Sequence, residues 1–177
     1  MTVTKKEEQY LIRPGVLEDA EAILHMQSSV ISEGDYLITV SGEFNKTLGQ
    51  QRSWMKGIIE NERETLLVAE LDGEVAGWIV FQTQNRKRMT HTGSVGMMVS
   101  KNCRGRRIGR LLLHALLDWA KQNPLIEKVS LGVFSTNQRA LSLYKSMGFV
   151  EEGRKIREFK LGDNQYIDDI LMYKFVK

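Results

Sequence analysis

Apolar positions in the second half of the chain change from a period near two residues to a period near 3.6 residues and back again. Six apolar residues lie at the spacing of one helix face: Ile108, Leu111, Leu112, Ala115, Leu116 and Trp119. Asn123-Pro124 ends this pattern, because proline cannot continue a helix interior. The runs before and after the helix predict strands over 94–100 and 128–134, which a right-handed crossover makes parallel.

The rest of the pattern predicts antiparallel strands around this strand–helix–strand unit. Asp72-Gly73 joins two apolar runs, 65–82, and is a strong hairpin signal. Asn137 is expected to cap a helix that ends before Gly148, and Gly162-Asp163-Asn164 to turn a closing hairpin. The remaining predicted elements are a strand over 10–15, helices over about 17–30 and 45–60, and a loop over 31–44. The sequence therefore predicts an α/β class with a mixed, mainly antiparallel sheet.

Composition narrows the kind of protein without deciding its activity. The 177 residues, 42% apolar and 27% charged, fit a single domain over 1–177 that buries its own core, with 1–9 as a loose N-terminal segment. A net charge of +3 is too small to argue for nucleic acid or membrane by itself. One cysteine, Cys103, excludes an internal disulfide and a multi-cysteine metal site. With no signal-peptide run and no apolar segment of about 20 residues, we expect a cytoplasmic protein with no membrane span.

A cluster of arginines lies where helix electrostatics disfavours cations. The stretch "NCRGRRIGRLLLHALLDWA" places four arginines within seven residues at the start of the long helix, namely Arg104, Arg106, Arg107 and Arg110. Helix N-termini carry partial positive charge and bind anions, and Gly105 and Gly109 allow a close backbone approach. Four guanidinium groups suit a pyrophosphate better than one carboxylate. A solvated helix start that binds nothing is the alternative from these residues alone.

Two motifs in this order resemble a known family. "MMVSKNCRGRRIGRLLL" resembles the acetyl-CoA pyrophosphate loop of the GNAT family, the GCN5-related N-acetyltransferases. Arg104 and Gly109 match the outer positions of that loop, and Arg107 stands where the family has its first glycine. "FSTNQRALSLYKSMGFVEEG" resembles the second signature, with Asn137 opening a helix and Tyr144 seven residues later. Together with "GEVAGWIVFQ" and "YIDDILMYKFV", the resemblance extends from about residue 10 to residue 176.

The resemblance implies a GNAT fold and a direct transfer of the acetyl group from acetyl-CoA to an amine, without a covalent enzyme intermediate or a metal. In such a fold the parallel strands splay apart, and backbone groups of the first strand hold the pantetheine arm and polarise the thioester carbonyl. Tyr144 would protonate the departing thiolate, since a phenol pKa of about 10 suits a thiol of about 8.5. The cofactor-binding residues implied are Met98, Val99, Arg104, Gly105, Arg106, Arg107, Ile108, Gly109, Arg110, Asn137 and Tyr144.

The group that accepts the amine proton stays open at this point. Glu33, in the segment "ISEGDYL" that resembles the acceptor-binding segment of the family, is the first choice for a catalytic base, and Asp35 is the second. His91 has a suitable reference pKa. Asp168 and Asp169 alternate faces on the last strand, so only one of the two can face the acceptor. A chain of water molecules is a further alternative.

The acceptor itself stays equally open. We expect a primary amine of a small molecule, such as an amino acid, a polyamine or a drug-like amine, and protein N-termini are the alternative. Two hypotheses belong to other classes. One is a non-catalytic acyl-CoA sensor, and the other is a nucleic-acid-binding module using "QNRKR" and "CRGRRIGR", which no aromatic residues interleave. A homodimer is an expectation from the family resemblance.

Overall fold

One seven-stranded sheet forms the centre of the computed structural model, which describes residues 10–177. The strands are β1 Tyr10–Pro14, β2 Thr65–Leu71, β3 Glu74–Thr83, β4 Thr92–Val99, β5 Lys128–Phe134, β6 Val150–Gly162 and β7 Gln165–Phe175. The α-helices are α1 Ala20–Ser32, α2 Leu48–Ile59, α3 Ile108–Gln122 and α4 Gln138–Ser146. The strand order is β1-β2-β3-β4-β5-β7-β6. The predicted mixed sheet and its β4–α3–β5 crossover are confirmed, and segment 1–9 lies outside the described residues.

The parallel pair at the centre of the sheet is short. β4 and β5 share three residue pairs, from Thr92↔Lys128 to Ser94↔Ser130, and then diverge. Every other neighbouring pair of described strands is antiparallel. Past Ser94, the edge of β4 that faces β5 therefore has no strand partner. The splay implied by the family resemblance is present, and it opens the middle of the sheet.

Helices cover both faces of the sheet, so the core has two halves. One half packs the apolar stripe of α3 and part of α4 against the sheet, with Leu112, Leu116 and Phe81 fully buried. The other half lies under α1 and α2, around Ile23 and Met55. No helix within residues 10–177 is long and apolar enough to cross a membrane. Hydrophobic burial on both faces fixes the sheet as the rigid support of the splayed strands.

Helix ends differ from the sequence prediction where a cap or a 3₁₀ turn intervenes. Thr47 caps α2, since its Oγ1 accepts the Gln50 N–H at 3.2 Å and the Gln50 side chain accepts the Thr47 N–H at 2.8 Å. This capping box starts α2 at Leu48 and not at residue 45. The predicted helix over 17–30 is a 3₁₀ turn followed by α1, which runs on to Ser32.

Both predicted hairpin turns are confirmed, but the second hairpin is irregular. Asp72 and Gly73 have φ of 52° and 88°, the left-handed values that a two-residue turn requires. In the β6–β7 hairpin the register moves from Lys155↔Asp169 to Phe159↔Ile167, so 156–158 form a bulge opposite one residue. The sequence pattern gave no sign of this bulge. Two further register shifts interrupt the hairpin, between Glu151 and Gly153 and between Lys160 and Gly162.

Candidate active site

A cavity of about 590 Å³ opens where β4 and β5 separate. Its walls come from the unpaired end of β4, the loop before α3, the start of α4 and the loop after α1. Of the residues expected to bind a cofactor, all except Arg106 line this cavity. The structure therefore brings together two motifs that 20 residues, 114–133, separate in the sequence, at the edges of one splay.

The loop before α3 turns sharply into the helix. Gly105 has a φ of 83° and Arg107 a φ of 65°, so both adopt left-handed conformations. The Arg107 carbonyl accepts the Leu111 N–H at 3.1 Å, which makes Arg107 the N-cap of α3. Alternating hands along a backbone form a concave nest of N–H groups, next to the free N–H groups of the first helical turn. The arginine at the family's glycine position thus keeps the left-handed turn that a glycine would make.

This conformation gives a prediction at Arg107. Left-handed backbone costs a non-glycine residue about 1–2 kcal/mol, which Gly escapes. Gly loses about 0.5–1 kcal/mol through its freer unfolded chain. We therefore expect Arg107→Gly to be more stable than Arg107→Ala by about 1 kcal/mol in urea unfolding. The matched control is Arg106, whose φ is not positive, so the order of its Gly and Ala variants should reverse. If the Gly and Ala variants rank in the same order of stability at Arg107 and at Arg106, the left-handed conformation assigned to Arg107 is contradicted.

Arg104 is engaged by a carboxylate from the opposite side of the cavity. Its two terminal nitrogens contact Glu33 at 2.6 and 2.9 Å, and its Nε donates to the Val99 carbonyl at 3.1 Å. The guanidinium hydrogen-bonded to Glu33 holds the pKa of that carboxyl below its usual range. A carboxylate held in this way is a weak proton acceptor, which counts against Glu33 as the base. The ion pair between Glu33 and Arg104 ties the end of α1 to the loop before α3.

Other cations surround the helix start. Arg107 and Arg110 line the cavity, and Arg110 donates to the Ser146 Oγ at 2.7 Å on α4. Arg106 is exposed outside the cavity lining. Arg139, which the sequence analysis did not single out, lines the cavity from α4. Its only sequence signal is its place two residues after Asn137. The cationic end of the cavity is thus built from two helices.

Tyr144 and Asn137 lie on the α4 wall of the same cavity. The Asn137 Oδ1 accepts the Ala140 N–H at 3.1 Å, so its predicted capping role is confirmed while its side chain also lines the cavity. The Tyr144 ring packs against Phe149, with centroids 5.9 Å apart. Burial raises the pKa of Tyr144 to about 12. Its phenol therefore stays protonated at neutral pH and can donate a proton or a hydrogen bond.

A second cavity, of about 350 Å³, adjoins the first. Leu37 and Met98 line both cavities, so the two meet beside the unpaired end of β4. The walls of the second cavity come from the loop after α1, from β4 and β5, and from β6 and β7. The sequence analysis placed part of the loop here by resemblance. It did not predict the contribution of β6, which depends on the pairing of distant strands.

Asp169 projects toward the second cavity from β7. It is the register partner of Phe134 on β5, and a Cβ built at Gly132 would lie 2.9 Å from its Oδ1. Glycine at position 132 therefore leaves the space that the carboxylate occupies. Burial raises the pKa of Asp169 above its usual range. A carboxylate with a raised pKa is a better proton acceptor than an exposed one.

The remaining base candidates do not line the second cavity. Asp35 lines the first cavity. Asp168 accepts the Arg157 N–H at 2.8 Å and contacts Arg154 at 3.3 Å, so it supports the bulge of β6. His91 is exposed just before β4 and lines neither cavity. Asp168 and Asp169 thus divide into one supporting and one cavity-facing carboxylate, as the alternation of a strand requires.

No cluster of three or more potential metal-ligating residues occurs within 10–177. The site combines a cationic helix start, an unpaired strand edge, a protonated phenol and the half-buried carboxylate of Asp169. These groups suit binding of a phosphorylated ligand and proton transfer at the junction of the two cavities.

Comparisons with known proteins agree with this architecture. A family model described as "Acetyltransferase (GNAT) family" matches residues 35–149. The chain is 26% identical to the L-amino acid N-acetyltransferase AaaT of Escherichia coli (strain K12) over 119 residues, which cover 67% of this chain and 73% of that protein. It is 31% identical to YwnH of Bacillus subtilis (strain 168), which is assigned by name as a phosphinothricin acetyltransferase, over 137 residues that cover 76% and 80%.

Solved structures show the same fold. An acetyltransferase of the GNAT family from Streptococcus pneumoniae superposes with a TM-score of 0.89 at 27% identity, covering 96% of this chain and 100% of that one. A Salmonella typhimurium structure, described with its cofactor acetyl-CoA, superposes with a TM-score of 0.86 at 20% identity, covering 96% and 95%. The overall fold is therefore shared with these proteins.

Proposed function

The chain belongs to the GNAT family of acetyltransferases and takes acetyl-CoA as its co-substrate, and we propose that it moves the acetyl group directly onto a primary amine of a small molecule. The observation that carries the proposal is the meeting of two cavities at Met98 and Leu37, beside the unpaired edge of β4. Two substrates can occupy the two cavities at once. Such a ternary arrangement needs no covalent enzyme intermediate.

The larger cavity fits the chemistry of acetyl-CoA. Its cationic end, with the N–H groups of α3 and the side chains of Arg107, Arg110 and Arg139, suits the phosphates. Met98 and Val99 also line this cavity, and their backbone lies on the part of β4 that β5 leaves free. These backbone groups would hold the amide-bearing arm and polarise the thioester carbonyl, a contact worth a few kcal/mol in acyl transfer.

Two side chains supply the proton transfers. An amine with a pKa near 10 arrives protonated and must lose a proton before its nitrogen attacks the carbonyl carbon. We assign that proton to Asp169, because it faces the second cavity while Glu33 is held by Arg104. As the carbon–sulfur bond breaks, the departing sulfur takes a proton from the Tyr144 phenol on the α4 wall, and the second proton lost by the attacking nitrogen restores the phenol through solvent.

A thiol-release assay tests the function. The protein is incubated with acetyl-CoA and a panel of small primary amines, amino acids, polyamines and peptides, and free CoA thiol is measured together with the thermal shift caused by CoA. We expect release of thiol with at least one small amine and a rise in melting temperature with CoA. Thermal stabilisation by CoA with no thiol release from any amine would indicate a sensor. Salt-sensitive nucleic-acid binding with no effect of CoA would indicate the nucleic-acid hypothesis.

A further inference from the structure

The charge of the second cavity limits the acceptors it can take. Among the described residues that line this cavity, Asp169 is the one ionisable side chain. Thr39 and Ser94 add neutral hydroxyl groups, and the other walls are apolar or glycine. An ammonium group meets an opposite charge here, whereas a carboxylate meets a like charge. This argument rests on the proposed function, because it concerns the acceptor of that same reaction.

The cation whose charge acts on Asp169 is already paired. Lys155 is the register partner of Asp169 across β6 and β7, and its charge acts on Asp169. Its Nζ contacts Glu158 Oε1 at 3.4 Å, and Glu158 also acts on Asp169 with the opposite sign. The arginines of the larger cavity lie across the junction at Met98. No described lysine, arginine or histidine lines the cavity to receive a carboxylate.

The aromatic walls of the second cavity indicate which kind of group carries the amine of the acceptor. Phe134 on β5 and Phe159 on β6 stack with ring centroids 4.6 Å apart, and both line the cavity. The bulge over 156–158, held by Asp168, places Phe159 at this point of β6. Ile38 and Val95 add apolar surface. A cavity with one carboxylate and stacked rings matches a cation carried on an apolar group.

We infer that the acceptor of this chain is a small monoamine with an apolar body and without a carboxylate on the carbon that bears the amine. The relatives named for L-amino acids and for phosphinothricin act, by those names, on acceptors that carry such a carboxylate. In this chain the carboxylate would enter beside Asp169 with no cation to pair it. Juxtaposed like charges in a partly buried site disfavour binding strongly.

The test compares substrates that differ in one group. Phenethylamine, phenylalaninamide and phenylalanine share an aromatic body and a primary amine, but they carry respectively hydrogen, a neutral amide and a carboxylate at the same carbon. 3-Methylbutylamine, leucinamide and leucine form the aliphatic set. We expect kcat/KM for the amine to exceed that for the amino acid about 100-fold or more, since a like-charge penalty of this kind spans about two tenfold steps.

The neutral amides separate charge from bulk. If the amides are acetylated nearly as well as the amines, charge is the cause, as inferred. If the amides are as poor as the acids, bulk is the cause and the inference is wrong. Amino acids that match the amines would also overturn it, as would a peptide N-terminus that exceeds every small amine. Absence of turnover with all amines despite CoA binding would instead overturn the proposed function.

Two variants move the preference in predictable directions. Asp169→Asn keeps the shape and removes the charge, so the ratio of amine to amino acid should fall at least tenfold, besides a lower rate with amines. Thr39→Arg adds a cation to the wall of the same cavity and should raise kcat/KM for phenylalanine while leaving CoA binding intact. If the ratio of kcat/KM for the amine to that for the amino acid stays unchanged in Asp169→Asn, Asp169 does not discriminate between the two acceptors, which contradicts the inference.

Discussion

Replacement of Tyr144 by Phe is expected to lower kcat about 100-fold, the lower end of the usual effect of removing a general acid. The ring and its contact with Phe149 remain, so folding should change little. Because burial raises the pKa of Tyr144 to about 12, the phenol is in its donating form throughout the neutral range. The KM for acetyl-CoA should stay within a few-fold, since the variant keeps the ring and all the cations proposed to bind the phosphates.

The control for this prediction is Tyr173→Phe. Tyr173 lies on β7, outside the linings of both cavities, and packs its ring against Phe175 at 5.2 Å. Its variant should keep the wild-type kcat. Steady-state kinetics with CoA-thiol detection measures both proteins. An unchanged kcat in Tyr144→Phe would show that the Tyr144 ring only packs and that another group, or water, protonates the sulfur.

The second large effect is expected at Gly93, on the short parallel pair of β4 and β5. A Cβ built there would lie 2.5 Å from the Gln82 carbonyl oxygen and 2.5 Å from the Phe81 ring. Neither neighbour can move freely, because one is strand backbone and the other a fully buried ring. Gly93→Ala should therefore lower the free energy of unfolding by about 3 kcal/mol, at the upper end of ordinary overpacking.

Gly153→Ala is the matched control, because Gly153 also lies in a strand and a Cβ there meets no heavy atom within 4 Å. Its free energy of unfolding should stay the same or rise, by up to about 1 kcal/mol. Urea unfolding followed by circular dichroism compares the two variants. If Gly93→Ala is as stable as wild type, the β3–β4 packing that places the splay is looser than the structure shows.

Local chemistry in the sequence was enough to place the elements. The 3.6-residue period of α3, the Asp72-Gly73 turn and the Asn137 cap each depend on residues a few positions apart, so the chain alone predicted them. The long hairpin was predicted without its bulge, because an insertion in β6 is defined only against β7. The arginine cluster also predicted an anion site, since a helix start needs no tertiary contact to present its N–H groups.

The roles of individual side chains required the tertiary structure. Glu33 and Arg104 were predicted for different tasks, yet they are 71 residues apart and bond to each other. Asp169 lies opposite Phe134 and beside Gly132, a placement that depends on strand pairing and has no signal in the sequence. The sequence by itself determined the order and type of the main elements, the two hairpin turns and the family resemblance, because these depend on neighbours in the chain. Only the tertiary structure decided which charges are paired and which face a cavity, because pairing and burial depend on residues that folding brings together.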